Sequence, residues 1–245
     1  MQPVFEEIDF QHTPLGEISL RRRSEPRLDN VIIYEVKLNE EFLMSSLFTE
    51  AEVQLSLLGL KQAQDSFGDN EKLDVVVGGL GLGYTAVTAL EDPAVNSLNI
   101  IDVMLPVINW HKQKLVPLGE TLINDSRCQI THADFYQLAS SENSSFNSQL
   151  PNQLVHAILL DIDHSPSHLL NEHNESFYTK SGLESLVKKL HAKGVFGLWS
   201  NELPDQRFIE LLNSVFESTQ AHIVKFPNPY TGDESTNTVY ISNNH

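Results

Sequence analysis

The rhythm of apolar and polar positions changes once along the chain. Residues 16–23 (GEISLRRR) alternate in places, SEPRLDN supplies turn residues, and residues 31–38 (VIIYEVKL) are rich in β-branched side chains. A second turn at Asn39-Glu40-Glu41 leads into Phe42-Leu43-Met44, so this part predicts a small antiparallel sheet of hairpins. Thr49-Glu50-Ala51-Glu52 reads as a capping box, with the Thr49 hydroxyl on the third amide and Glu52 reaching back. A helix should run from there towards Gln64. From residue 73 the pattern alternates. Strands are predicted at 73–79, 98–103, 128–131, 155–160 and 194–199, and helices at 84–90, 106–115, 181–190 and 204–216. Two last strands, 222–226 and 238–241, have no helix between them.

Strand–helix alternation predicts a mainly parallel sheet with helices on both faces. The terminal pair predicts an antiparallel hairpin at one edge. The expectation is an α/β fold: a mainly parallel sheet with an antiparallel terminal hairpin, plus a small N-terminal β region. The division is 1–48 for the β-hairpin region and 49–245 for the sheet domain. The polar stretch 139–153 reads as a surface loop between strand signals.

Composition narrows the function. The 245 residues hold 16 Lys+Arg against 33 Asp+Glu, a formal net charge of −17. A chain so acidic lacks the positive footprint that grips a phosphate backbone or an anionic membrane. The single cysteine, Cys128, rules out an internal disulfide and reads as packing filler. No apolar run approaches a membrane span and the first residues do not read as a signal peptide, so the expected compartment is the cytoplasm.

The most specific motif is VVVGGLGLGYTA, residues 75–86. A buried strand runs into Gly78, Gly79, Gly81 and Gly83, then into a helix. The glycines admit close approach of a ligand, and the helix start offers free amides. Asp102 ends the next strand, where an acid can hydrogen-bond a ribose diol. Ala86 also satisfies the NAD-binding pattern, so the glycines alone leave NAD open. Asp134, with Phe135 beside it in THADFYQL, follows the third strand, placed to accept from an adenine amino group. Asp161 and Asp163 follow the fourth in AILLDIDHSP. Acids at three successive strand ends line one crevice, as in nucleoside-dependent alkyl transferases.

These residues resemble the spermidine synthase-like branch of the class I S-adenosylmethionine-dependent transferases. The resemblance covers most of the chain: the small β region, VVVGGLGLG, Asp102, the ADF of residues 133–135, Asp161 before Pro166, and Phe177-Tyr178. It implies a Rossmann-like class I methyltransferase sheet, an adenosyl-sulfonium co-substrate, no metal, and a homodimer through the N-terminal β region. The sequence departs from that family at informative places. Gly81 stands where the family has a loop acid, understood to hold the amine of decarboxylated S-adenosylmethionine. Met44-Ser45-Ser46 replaces Gln-Ser-Ser, Val53-Gln54 stands near an expected Tyr-His pair, and the gate from Asp161 to Pro166 is one residue longer. The departures favour methyl transfer from S-adenosylmethionine to a small thiol or amine. Aminopropyl transfer from decarboxylated S-adenosylmethionine is the alternative, and a non-catalytic nucleoside-binding protein a third reading.

Alkyl transfer from a sulfonium needs an aligned nucleophile and a base. Asp161 matches the family's first gate acid and is the expected base or acceptor-orienting group. Asp163 and His164 are second choices, His164 with a pKa raised by neighbouring carboxylates. Pro166 breaks the four-residue spacing of His164 and His168, so no metal site is expected. Arg21-Arg22-Arg23 reads as a solvated face or a contact for a second subunit, Trp110 as packing, and Tyr230 as surface packing within reach of the site.

Overall fold

The computed structural model describes residues 3–39, 41–68, 70–141 and 145–245. Four strands come first: β1 (Phe5–Thr13), β2 (Gly16–Glu25), β3 (Val31–Leu38) and β4 (Glu41–Ser45). They pair antiparallel in the order β1-β2-β3-β4. β1 was not legible in the sequence, because its register slips between Glu7 and Asp9 and breaks the alternation of side chains. Alternation in β2 puts Arg21 and Arg23 on one face, where both bond the buried Glu35 across the sheet at 2.8 and 2.9 Å. Only Arg22, on the other face, makes an exposed pair, with Glu6. The arginine run is therefore not a solvated face: two of its members neutralise a buried acid.

Helix α1 (Glu50–Phe67) follows and leads into the large sheet. That sheet comprises β5 (Leu73–Gly78), β6 (Val95–Asp102), β7 (Cys128–His132), β8 (Val155–Leu160), β9 (Leu190–Ser200), β10 (Ser218–Pro227) and β11 (Glu234–Asn243). Its order is β10-β11-β9-β8-β5-β6-β7. β7, β6, β5, β8 and β9 run parallel, and β11 inserts antiparallel between β9 and β10. The strand order reverses at β5, so β5 and β8 bound the crevice where open α/β sheets bind ligands.

Residue alternation in β5 divides the core. Val75 and Val77 face one apolar layer, shared with Leu55 and Leu60 of α1 and with Ile18, Leu20 and Val36 of the first sheet. Val76 faces the other, with Phe135, Leu183, Leu186 and Phe208. The first sheet thus packs on the same side as α1 and α2 (Tyr84–Glu91), next to the ends of β5 and β6. The remaining helices are α3 (Leu105–Lys112), α4 (Gly119–Asn124), α5 (Phe135–Ser140), α6 (Lys180–Val187) and α7 (Gln206–Asn213).

Several sequence expectations need correction. Thr49 makes no side-chain cap on α1. Its own amide instead donates to the Glu50 carboxylate at 3.0 Å, which leaves Glu52 to turn into the interior. α6 stops at Val187 because Leu190 already pairs with Val155 as the start of β9. α7 begins after Asp205, whose carboxylate caps the Arg207 amide, and not at Pro204. The stretch 139–153 is not all surface loop. α5 extends to Ser140, residues 142–144 lie outside the described residues, and Phe146 is buried with its ring stacked on Phe135 at 5.1 Å.

Candidate active site

The glycine loop is held from beneath. Gly79, at φ +95, has no room for a side chain: a Cβ there would lie 2.0 Å from the Asp161 carbonyl oxygen. Gly83, at φ +97, is the residue before α2 and sits against Leu122 and His111. His111 is fully buried, and its Nε2 lies 2.9 Å from the Gly81 carbonyl, so Nε2 carries the proton. Burial lowers its pKa, keeping the ring neutral, while Nδ1 finds no partner. His111 was missed from the sequence, where it is one polar residue in an apolar helix. Gly78 packs against Phe135 and Leu160.

Asp102 accepts from the Leu80 amide at 2.8 Å and the Met104 amide at 2.6 Å. It ties the loop to the end of β6, and each oxygen retains a lone pair for a sugar hydroxyl. Burial pushes its carboxyl pKa up. Asp134 caps α5 through Oδ1, which accepts from the Tyr136 and Gln137 amides. Phe135 is buried next to it.

Asp161 extends from the end of β8. Its Oδ2 accepts from the Thr85 hydroxyl of α2 at 2.8 Å. Burial raises its pKa to about 6, with the Thr85 bond opposing the rise. Glu52 of α1 lies in its field. Burial first, and the charge of Asp161 second, raise Glu52 to about 8. Glu52 was the second site residue missed, because the capping-box reading assigned its side chain to the helix end.

Asp163 is placed differently. It is buried and does not line the cavity. Its carboxylate accepts from Tyr136 at 2.5 Å, Tyr178 at 2.9 Å, the Leu170 amide at 2.7 Å and the Asn174 amide group at 3.1 Å. Asp163 therefore pins the segment 164–178 to the body of the domain. His164 does line the cavity, but its pKa is lowered, against expectation. Burial and the neighbouring His168, with ring centroids 5.0 Å apart, outweigh the nearby carboxylates.

Around these groups is a cavity of about 590 Å³. It is lined by the glycine loop, Asp102, Asp134, Phe135, Asp161 and Glu52, by Phe42 to Ser45 and Phe48, and by Trp199, Phe226 and residues 235–237. Four carboxylates line it, and among the described residues no lysine or arginine does. Gly78, Asp163, His168 and His173 stay outside its lining, Asp163 and Gly78 acting from the layer behind. No group of His, Cys, Asp and Glu with metal-ligand spacing occurs among the described residues. Trp110 is buried, its Nε1 donating to Asp9 at 2.6 Å and so joining α3 to β1 of the first sheet. Tyr230 bonds Arg23 and Glu25 and meets the Phe48 ring at 6.2 Å, behind the cavity wall.

No family model matches the chain, and no curated protein does. Solved structures do. A spermidine synthase in complex with the transition-state analogue AdoDATO superposes with a TM-score of 0.68 at 16% identity, covering 98% of this chain and 74% of that one. The spermidine synthase from Thermotoga maritima gives 0.67 at 16%, covering 98% and 72%. A probable spermidine synthase from Corynebacterium glutamicum gives 0.63 at 14%, covering 99% and 81%. The likeness spans both sheets, and the chain carries the fold of the spermidine synthase-like class I transferases.

Proposed function

We propose that the protein transfers an aminopropyl group from decarboxylated S-adenosylmethionine to a small amine. The carrying observation is the set of acids in the cavity: Glu52, Asp102, Asp134 and Asp161 line it, and among the described residues no lysine or arginine does. Decarboxylated S-adenosylmethionine brings an ammonium and a sulfonium and no carboxylate. S-adenosylmethionine would bring its carboxylate among these acids, where the one basic side chain named in the lining, His164, has a lowered pKa, at a cost of several kcal/mol for an unpaired buried charge. The fold likeness to spermidine synthases supports the same choice over methyl transfer. Gly81 is no obstacle, because α1 supplies Glu52, a buried acid that a bound ammonium ionises.

In this reading the glycine loop and the start of α2 lie beside the donor, with Asp102 on its ribose hydroxyls and Asp134 by its adenine. The acceptor arrives as an ammonium drawn by the Glu52–Asp161 pair. It loses a proton to a carboxylate whose pKa, near 6 at Asp161, suits a base at neutral pH. The amine lone pair then attacks the aminopropyl carbon next to sulfur. The carbon–sulfur bond breaks, its electrons return to sulfur, and methylthioadenosine leaves as a neutral thioether.

The test is product analysis. Purified protein with decarboxylated S-adenosylmethionine and a panel of amines should release methylthioadenosine in step with an aminopropylated amine. Asp161→Asn should reduce turnover at least a hundredfold with donor affinity retained. Turnover of S-adenosylmethionine to its homocysteine product instead would establish methyl transfer and refute the proposal.

A further inference from the structure

The cavity runs across the strand ends in the order of the large sheet. Asp134 follows β7, Asp102 ends β6 and the glycine loop follows β5, so the donor of the proposed function lies over these three strands. Asp161 follows β8. The other end of the cavity is bounded by Trp199 of β9, by Phe226 of β10 and Asn228 just beyond it, and by Ser235, Thr236 and Asn237 of β11. Phe42 to Ser45 of β4, and Phe48 before α1, also line it. The cavity wall thus draws on two parts of the chain almost 200 residues apart.

Tyr230 joins those two parts. It sits in the turn between β10 and β11, and that turn is closed on itself. The Asn228 amide donates to the Asp233 carbonyl at 2.8 Å, and the Gly232 amide to the Asn228 carbonyl at 2.9 Å. The Asn228 side chain accepts from the Tyr230 amide and donates to the Ser235 hydroxyl, both at 2.9 Å. From this turn the Tyr230 hydroxyl reaches β2. It accepts from Arg23 Nη2 at 2.8 Å and donates to Glu25 Oε2 at 3.0 Å. Arg23 is itself fixed, because its other two nitrogens bond Glu25 at 2.6 Å and Glu35 at 2.9 Å. Both partners of the hydroxyl are charged, which makes each bond stronger than a neutral one. The ring adds two contacts: the Arg27 guanidinium at 5.8 Å, and Phe48 at 6.2 Å. Among the described residues, no other hydrogen bond ties residues 229–234 to the first sheet.

We infer that Tyr230 is a positioning residue: its hydroxyl anchors the β10–β11 turn to β2 and so fixes the wall of the cavity beyond Asp161. Movement of Tyr230 passes to the wall through Asn228 and Ser235, which line the cavity, and through Phe48, which lines it and meets Phe226 at 5.6 Å. Tyr230 touches no reacting atom, since it lies outside the lining. The inference rests on the proposed function in one respect, that the acceptor occupies this end and the donor the other. Loss of the anchor then weakens acceptor binding and spares the donor.

Tyr230→Phe removes the hydroxyl and keeps the ring. The variant should fold, which its thermal transition checks, because Glu25 retains Arg23 and the Arg27 amide. Hydrogen exchange of the ligand-free protein, read by peptide mass spectrometry, should be at least fivefold faster over residues 228–236 and unchanged over 79–83. With the amine that the parent turns over fastest, KM should rise at least fivefold, while kcat and the Kd of decarboxylated S-adenosylmethionine stay within twofold. A general loss of packing would lower kcat and donor affinity as well. Unchanged exchange over 228–236 overturns the inference, as does faster exchange with an unchanged KM or a loss confined to kcat. A parent that transfers no aminopropyl group refutes the proposed function separately. The exchange measurement then still decides the anchor, faster exchange supporting it and unchanged exchange overturning it.

Discussion

Replacing Glu52 by Gln should make the ligand-free protein more stable at high pH and hardly change it at low pH. Glu52 is raised from 4.5 to about 8, chiefly by burial and then by Asp161. Its folded pKa lies above its unfolded value, so the native state holds a proton that the unfolded chain has lost. Between those two values stability falls as pH rises, and the loss is complete above the folded pKa. The difference between 8 and 4.5, at about 1.36 kcal/mol per unit, sets an upper limit of about 5 kcal/mol. Water entering an open cavity relaxes the field, and about 2–3 kcal/mol is the expected size. For a chain of 245 residues that is about 5–10 °C in Tm. Thermal unfolding at pH 5.5 and 9 reads it directly. Glu52→Gln should exceed the parent by about 5–10 °C at pH 9 and by about half of that at pH 5.5. A gap of the same size at both pH values would mean altered packing, and a less stable variant at pH 9 would refute the argument.

The same linkage predicts that binding of a cationic amine near pH 7 ionises Glu52. The observed binding enthalpy should then change with the ionisation enthalpy of the buffer, and a buffer-independent enthalpy would contradict the buried acid. Thr85→Val removes the hydroxyl that holds down the Asp161 pKa, so the acid limb of the rate profile should move to higher pH. A profile that stays put would remove Asp161 from the base role. Asp163→Asn sets an amide group against four donors and should cost about 2–4 kcal/mol, with faster proteolysis within 164–178. Unchanged cleavage there would show that Asp163 does not pin that segment. Cys128, whose thiol burial pushes up to about 12, should resist thiol reagents at pH 8 until the chain unfolds.

Much of the architecture was legible because local chemistry and global fold agree. The run Leu73 to Gly78 reads as a buried strand and is one, and the glycines after it face the cavity because Gly79 has no room for a Cβ. Asp102, Asp134 and Asp161 were found from their places at strand ends and do line one cavity. Side-chain direction was not legible. Glu52 fits a capping box by spacing, yet the conformation of Thr49 leaves it free to turn inward. Asp161 and Asp163, two apart, would share one face of a strand, but β8 ends at Leu160 and the chain bends, so one side chain reaches the cavity and the other Tyr136 and Tyr178. Short α4 and α5, of six residues each, are below the length at which a helical period can be read. The aromatic lining residues Phe42, Trp199 and Phe226 come from β4, β9 and β10, far apart in sequence, so no spacing could announce them.

The central claim is that an acid-lined cavity, with no lysine or arginine among the described residues of its lining, selects a donor lacking a carboxylate. Paired calorimetric titrations with decarboxylated S-adenosylmethionine and with S-adenosylmethionine, in one buffer at pH 7.5, test it most directly. The account predicts a Kd for the decarboxylated donor at least tenfold lower. Equal or tighter binding of S-adenosylmethionine would contradict it and make methyl transfer the activity to pursue.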